Sequence, residues 1–127
     1  MAKTEIRTDA APTPGGSYSQ GIRAGGLVFT AGQIGIDPAT GKLAGASIEE
    51  QTKQVLDNLA AVLGAAGASL ADVVKVTTFL ADVSMFQGYD AVYRTYFQEP
   101  RPARSTVGVK LAGDFLVEIE VVAVLPD

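Results

Sequence analysis

The chain contains no cysteine and no histidine. Without cysteine there is no disulfide, no thiolate nucleophile and no cysteine-based metal site. Without histidine the commonest general base, the commonest metal ligand and every Ser-His-Asp arrangement are excluded. Any catalysis must be assembled from Asp, Glu, Lys, Arg, Tyr, Ser, Thr and backbone groups. Basic residues are also scarce: 10 Lys and Arg against 14 Asp and Glu give a net charge of −4 and a pI near 4.7. Such a chain repels a phosphate backbone unless its few cations gather on one face, so nucleic acid is not the expected partner. No apolar run approaches the roughly 20 residues that span a bilayer, and the N-terminus lacks a positive-then-apolar signal pattern. A cytoplasmic location without membrane association is the default expectation.

The 127 residues, 47% of them hydrophobic, suit one domain covering 1–127, with no convincing repeat and no low-complexity segment. Met1 and Ala2 read as a loose lead-in, and Lys3 to Arg7 as a short edge strand. Ala10 to Gly16 is a Pro/Gly connection. Gly21 to Arg23 and Leu27 to Ile36 read as extended segments joined in a hairpin through Ala24-Gly25-Gly26, with a turn at Asp37 to Gly41. Ser47 to Gly67 predicts a helix, opened by a Ser47/Glu50 capping box and closed by Gly67 in the left-handed region. Its apolar stripe is Ile48, Val55, Leu59, Val62, Leu63 and Ala66; Glu49 and Lys53 are spaced to pair on the other side, and Gly64 suggests a close packing contact.

Val73 to Ala81 predicts a strand, and Ser84 with Gln87 suggests a second capping box before a helix over Phe86 to Gln98. The spacing of Phe86, Tyr89, Tyr93, Tyr96 and Phe97 assigns those rings to core packing. Ala103 to Val109 and Phe115 to Leu125 are the last strands. The order β-β-α-β-α-β-β predicts an α+β domain with two helices on one face of a mainly antiparallel or mixed sheet. Apolar residues occupy both parities of the strands starting at Val73 and Phe115, so the uncovered sheet face predicts a homo-oligomer.

Arg104 stands near the start of an otherwise apolar strand and shares a face with Thr106, while Ser105, Val107 and Val109 would form the core side. A planar, permanently charged guanidinium is a good carboxylate anchor, although the same pattern also describes an ordinary surface or interface arginine. Glu118 and Glu120 share a face of the last strand, either because that face is exposed or because a site needs a carboxylate. An anchoring cation on one strand and a carboxylate on its neighbour could hold an anionic substrate beside a water. The glycines around Gly16 and Gly32 follow no phosphate-loop spacing, and Gly32 reads as a point of close backbone approach.

Tyr18-Ser19-Gln20-Gly21, Thr30-Ala31-Gly32-Gln33-Ile34, Gln51 with Leu56-Asp57-Asn58-Leu59, Pro102-Ala103-Arg104-Ser105 and Val117-Glu118-Ile119-Glu120 occur in order over nearly the whole chain. In this combination the sequence resembles the RidA family, also called YjgF. The resemblance implies a chorismate-mutase-like mixed sheet and a homotrimer whose sheets surround a central barrel, with sites in the clefts between subunits. It also implies hydrolysis of 2-aminoacrylate or 2-aminocrotonate, through their 2-iminoacid tautomers, to 2-oxoacids and ammonia, with no cofactor and no metal.

In that reading Arg104 clamps the substrate carboxylate, Glu118 activates water, Tyr18 lines or closes the pocket, and the Gly32 and Thr106 backbones offer polar contacts. Two residues depart from many deaminating relatives: Thr106 stands where Cys is common, and Asp90 where a residue such as Asn is common. Asp90 would bring negative charge near an anionic substrate if it faces the cleft. The alternatives are a non-catalytic carboxylate-binding or regulatory protein, a ribonuclease or translation inhibitor, and an interaction module that recruits another protein through its apolar sheet.

Overall fold

The computed structural model describes residues 2–127; Met1, read above as part of a loose lead-in, lies outside them. The strands are β1 (Thr4–Ile6), β2 (Gly21–Ala24), β3 (Leu27–Thr30), β4 (Gln33–Ile34), β5 (Ile36–Asp37), β6 (Lys42–Leu43), β7 (Val73–Leu80), β8 (Ala103–Gly108) and β9 (Val117–Val124). The helices are α1 (Ile48–Ala65) and α2 (Phe86–Tyr96). The main sheet runs β1-β2-β3-β9-β7-β8, with β4 also paired to β9, and β5 and β6 form a separate ribbon. Only β7 and β8 are parallel, joined by the α2 crossover, and the neighbouring main-sheet pairs are antiparallel. This is the expected α+β arrangement, a mixed sheet with two helices on one face.

Helix α1 forms where its sequence predicts. The Ser47 hydroxyl accepts from Glu50 N at 3.1 Å while Ser47 N donates to the Glu50 carboxylate at 3.2 Å, satisfying two donors that a helix start leaves free. Gly67, at φ +85°, ends the helix in the conformation glycine adopts without a Cβ penalty. Val55, Leu59, Val62 and Leu63 are fully buried and pack on β9, β4 and β3. Gly64 is different from expectation: a Cβ there meets nothing within 4 Å, so close packing does not explain it. Gly64→Ala is therefore expected to raise stability by about 0.5 kcal/mol through helix propensity, read as a higher urea midpoint at fixed protein concentration.

Three local readings are corrected. Lys53 pairs with Asp57, at 2.8 Å, and not with Glu49. Carboxylates lie four residues from Lys53 on both sides, and the ammonium takes Asp57, which also accepts from the Tyr96 hydroxyl. The second capping box does not form, because Asp82 caps a short 3-10 turn over Val83–Met85 through Ser84 N, and α2 begins after Met85. The extended segment Leu27 to Ile36 is broken into three, since Gly32 and Gly35 interrupt the pairing.

A bulge between Val73 and Lys75 explains why β7 showed apolar residues on both parities. One extra residue shifts the register, so Val73 joins Val76, Thr78 and Leu80 on the buried face. In β9, Val117, Ile119, Val121 and Ala123 are buried beneath the helices. The opposite face stays open, with Leu27, Phe29, Val107 and Val124 about two-fifths exposed. The face assignment of β8 is the reverse of the expected one. Ser105 and Val107 are exposed, as is Val109 just beyond the strand, while Arg104 and Thr106 point to the helix side in register with Val76 and Thr78.

Among the described residues, no helix is long and apolar enough to cross a membrane.

Candidate functional site

Arg104 sits on edge strand β8 beneath helix α2, and that helix surrounds it with rings. Its guanidinium carbon lies 4.4 Å from the Tyr93 ring centroid and 5.4 Å from each of Phe86 and Tyr89. The helical spacing of these residues places them on one side of α2, which is why they meet a single side chain. Tyr89, Tyr93 and Phe97 are indeed buried core residues, as their spacing predicts. Tyr89, Tyr93 and the partly exposed Phe86 also hold the arginine, a second role that the periodicity did not show.

Asp90, on the same helix, receives a hydrogen bond from Arg104 at 2.8 Å and another from Arg94 at 3.2 Å. Burial pushes the Asp90 pKa up, but the bonds and charges of the two arginines outweigh it, so the carboxyl titrates below the ordinary range. For Arg104, burial pulls downward and the Asp90 bond, with neighbouring phenols and charge, turns the net shift upward. Burial raises Tyr93 to about 12, which keeps its hydroxyl protonated, and that buried hydroxyl has no hydrogen-bond partner among the described residues. Asp90, Tyr93, Arg94, Arg101, Pro102 and Arg104 line one recess of about 460 Å³. Asp90 therefore does face the cleft that holds Arg104. Thr106 follows Arg104 on the same face, opposite Thr78, whose hydroxyl bonds Tyr89, but it does not line the recess.

Glu118 lies elsewhere. With Tyr18, Gly32, Ile34 and Phe115 it lines a second recess of about 530 Å³. Strand β4 carries Ile34 opposite Glu118, and the chain passes so close at Gly32 that a Cβ there would overlap the Glu118 carboxylate. The close approach expected of Gly32 is thus to a side chain. The segment is pinned from behind by two buried amides: Asn58 donates to the carbonyls of Ile34 and Ile36, and Gln51 bridges Gly45 to Leu116 N. Tyr18 is half-exposed at the rim, its hydroxyl accepting from Gly15 N at 3.1 Å. Burial, followed by the charge of Glu120 on the same face, raises the Glu118 pKa above the ordinary carboxylate value.

The expected pairing of Arg104 with a carboxylate on the adjacent strand does not occur within one chain. Strand β7 separates β8 from β9, and the register aligns Glu118 with Phe79 and Val107, on the face opposite Arg104. Three residues along the strand and two strand spacings put the two Cα atoms roughly 14 Å apart. No small imino acid spans that distance through a sheet. The structure therefore gathers Asp90 with Arg104, and Tyr18 with Gly32 and Glu118, in two separate recesses. Tyr93, Arg94 and Arg101 were missed from the sequence; the i,i+4 pair Asp90/Arg94 beside an aromatic stripe was the available signal.

The sequence profile described as Endoribonuclease L-PSP matches residues 8–125. The chain belongs to the RidA (YjgF) family. It is 51% identical over 124 residues to a RutC family protein of Pyrococcus abyssi, covering 97% of this chain and 98% of that one. It is 40% identical over 124 residues to the 2-iminobutanoate/2-iminopropanoate deaminase of Dermatophagoides farinae, covering 97% of each. The crystal structure of RidA from an Antarctic Psychrobacter superposes with a TM-score of 0.93 at 40% identity, covering 96% of this chain and 99% of that one. The family resemblance drawn from the motifs is thus correct, and so is the fold it implied.

Within this RidA-family frame, Gly32→Ala isolates the Glu118 half-site. The added methyl would push the Glu118 side chain aside while leaving the buried amides in place. The expected outcome is at least about a tenfold loss of any turnover that uses the Glu118 carboxylate, since misplacement by about 1 Å costs up to 100-fold. The melting temperature should move by only a few degrees, and a calorimetric scan beside the assay separates the two effects.

Proposed function

We propose that this single-domain, cytoplasmic protein is a 2-iminobutanoate/2-iminopropanoate deaminase that works as a homotrimer, without a cofactor or a metal. The observation that carries the proposal is the Arg104 guanidinium, held by three rings and Asp90 at the wall of an open recess. Asp90 uses one Nη, which leaves other donors of the same planar group for a substrate carboxylate. The D. farinae relative carries the deaminase name.

The enamine released by a pyridoxal-phosphate enzyme tautomerises to the imine, whose carbon is already electrophilic. Glu118 takes a proton from water as the water oxygen bonds to that carbon and the C=N electron pair moves to nitrogen. The same proton is returned to nitrogen, giving a neutral carbinolamine; its hydroxyl proton then passes through Glu118 to the amine as the C–N bond breaks, ammonia leaves and the C=O bond of the 2-oxoacid forms. Tyr18 closes the rim, and the Gly32 and Thr106 backbones supply polar contacts.

Because Arg104 and Glu118 belong to separate half-sites, the proposed active site joins the Arg104 recess of one copy to the Glu118 recess of the next. The exposed apolar row Leu27, Phe29, Val107 and Val124 supplies an open face for the copies to share. Light scattering should give three times 13.1 kDa.

The direct test supplies 2-aminocrotonate from threonine with a dehydratase and follows 2-oxobutanoate with and without the protein. No acceleration over solvent hydrolysis defeats the deaminase reading. Complementation tests the shared site: Arg104→Ala and Glu118→Gln copies, separately inactive, are co-expressed with different tags and purified as mixed trimers. Every mixed trimer has both intact groups at one of its three interfaces, so roughly a third of the activity should return. Continued inactivity of the mixed trimers would overturn the shared site.

The net charge of −4 and the absence of histidine weigh against the ribonuclease reading.

A further inference from the structure

The Arg104 recess holds more positive charge than a small monocarboxylate needs. Three guanidinium groups, from Arg94, Arg101 and Arg104, line it with one carboxylate, that of Asp90. Asp90 is already divided between Arg104 and Arg94. Arg101 is the cation left over. Its Nε donates to the Phe97 carbonyl at 3.1 Å, which anchors the side chain to the end of α2. Among the described residues its Nη1 meets only Glu99, at 3.3 Å, and the Glu99 side chain is 83% exposed. A pair so open to water contributes little and exchanges readily for a better-placed anion.

Arg101 and Arg104 flank Pro102 and Ala103, and three extended residues separate their Cα atoms by at most about 10 Å. Two long side chains rooted that far apart can close on the two ends of a four- or five-carbon diacid.

We infer that Arg101 is a specificity-determining residue that extends this site to 2-imino acids whose side chain ends in a second carboxylate. The inference rests on Arg104 being the anchor for the first carboxylate, as proposed above. Asp90 keeps Arg104 and Arg94 in place, Arg104 takes the carboxylate next to the imine, and Arg101 takes the distal one. The chemistry at the imine carbon is unchanged.

The test uses the intact oligomer and Arg101→Gln, which retains a side-chain N–H for the Phe97 carbonyl but loses the charge. Calorimetry measures the binding of a five-carbon 2-oxo diacid and of 2-oxobutanoate, the products of the two imine classes. The intact protein should bind the diacid more tightly. Arg101→Gln should lose about tenfold for the diacid, as expected for one charge-assisted hydrogen-bonding group, and less than about threefold for the monoacid. Equal affinity for the two acids in the intact protein, or an equal loss in the variant, overturns the inference. Turnover of both imines is measured in parallel. Diacid preference without turnover would discard the deaminase reading and keep the inference, while turnover without diacid preference would do the reverse.

Discussion

Arg104→Ala protein is expected to fold, to assemble, and to lose about 100-fold to 1,000-fold of its kcat/KM for imine hydrolysis. A hydrogen bond to a charged group contributes about 1.5–3 kcal/mol, and a carboxylate gripped by two such bonds loses both. At 1.4 kcal/mol per decade that bounds the loss near 10² to 10⁴. The lower part of the range is the better expectation, because Asp90 already claims one guanidinium nitrogen and the side chain is one-fifth exposed. Folding survives because Asp90 retains Arg94, and the stacking removed from Tyr93, Tyr89 and Phe86 is worth roughly 1–2 kcal/mol. Arg104→Lys should recover little, since an ammonium cannot match a planar group seated among three rings. The coupled 2-oxobutanoate assay decides, and an Arg104→Ala loss below about fivefold would remove this residue from the anchoring role.

Glu118→Gln should cost about 10² to 10⁴ in kcat, the usual worth of a positioned general base, with KM nearly unchanged. Its pH behaviour gives a second reading. A base works as the carboxylate, and within one chain burial and then Glu120 disfavour that form, so both move the acid limb of the rate profile upward. Activity is full above the raised pKa and falls as pH drops through it. Glu120→Gln removes the neighbouring negative charge, lowers the Glu118 pKa, and should move the acid limb to lower pH while kcat at neutral pH holds. An acid limb that stays put in Glu120→Gln, or that persists in residual Glu118→Gln turnover, would assign the titration to another group.

Much of the fold was legible because it depends on neighbours in sequence. The Ser47/Glu50 cap, the Gly67 stop and the α1 stripe are decided within a few residues of each other. Misreadings arose where local signals competed or a register shifted. Asp82 displaced the Ser84/Gln87 cap, Asp57 took Lys53, and one bulge reassigned the parity of Val73. The β8 face was assigned backwards for a different reason: on an edge strand, the valines point to the uncovered side and the arginine lies under a helix. Hydrophobicity alone reads such a strand inside out.

By itself, the sequence determined the chemistry available: no histidine, no cysteine, one arginine and two glutamates set among apolar strand residues, and motifs that mark the RidA family. Those are properties of residue type and order, and no folding is needed to read them. Only the tertiary structure decided that β7 lies between Arg104 and Glu118, that the two project from opposite faces, and that Asp90 and three rings hold the arginine. Strand order and register arise from contacts between residues far apart in the chain, so local sequence patterns do not reveal which side chains share a recess.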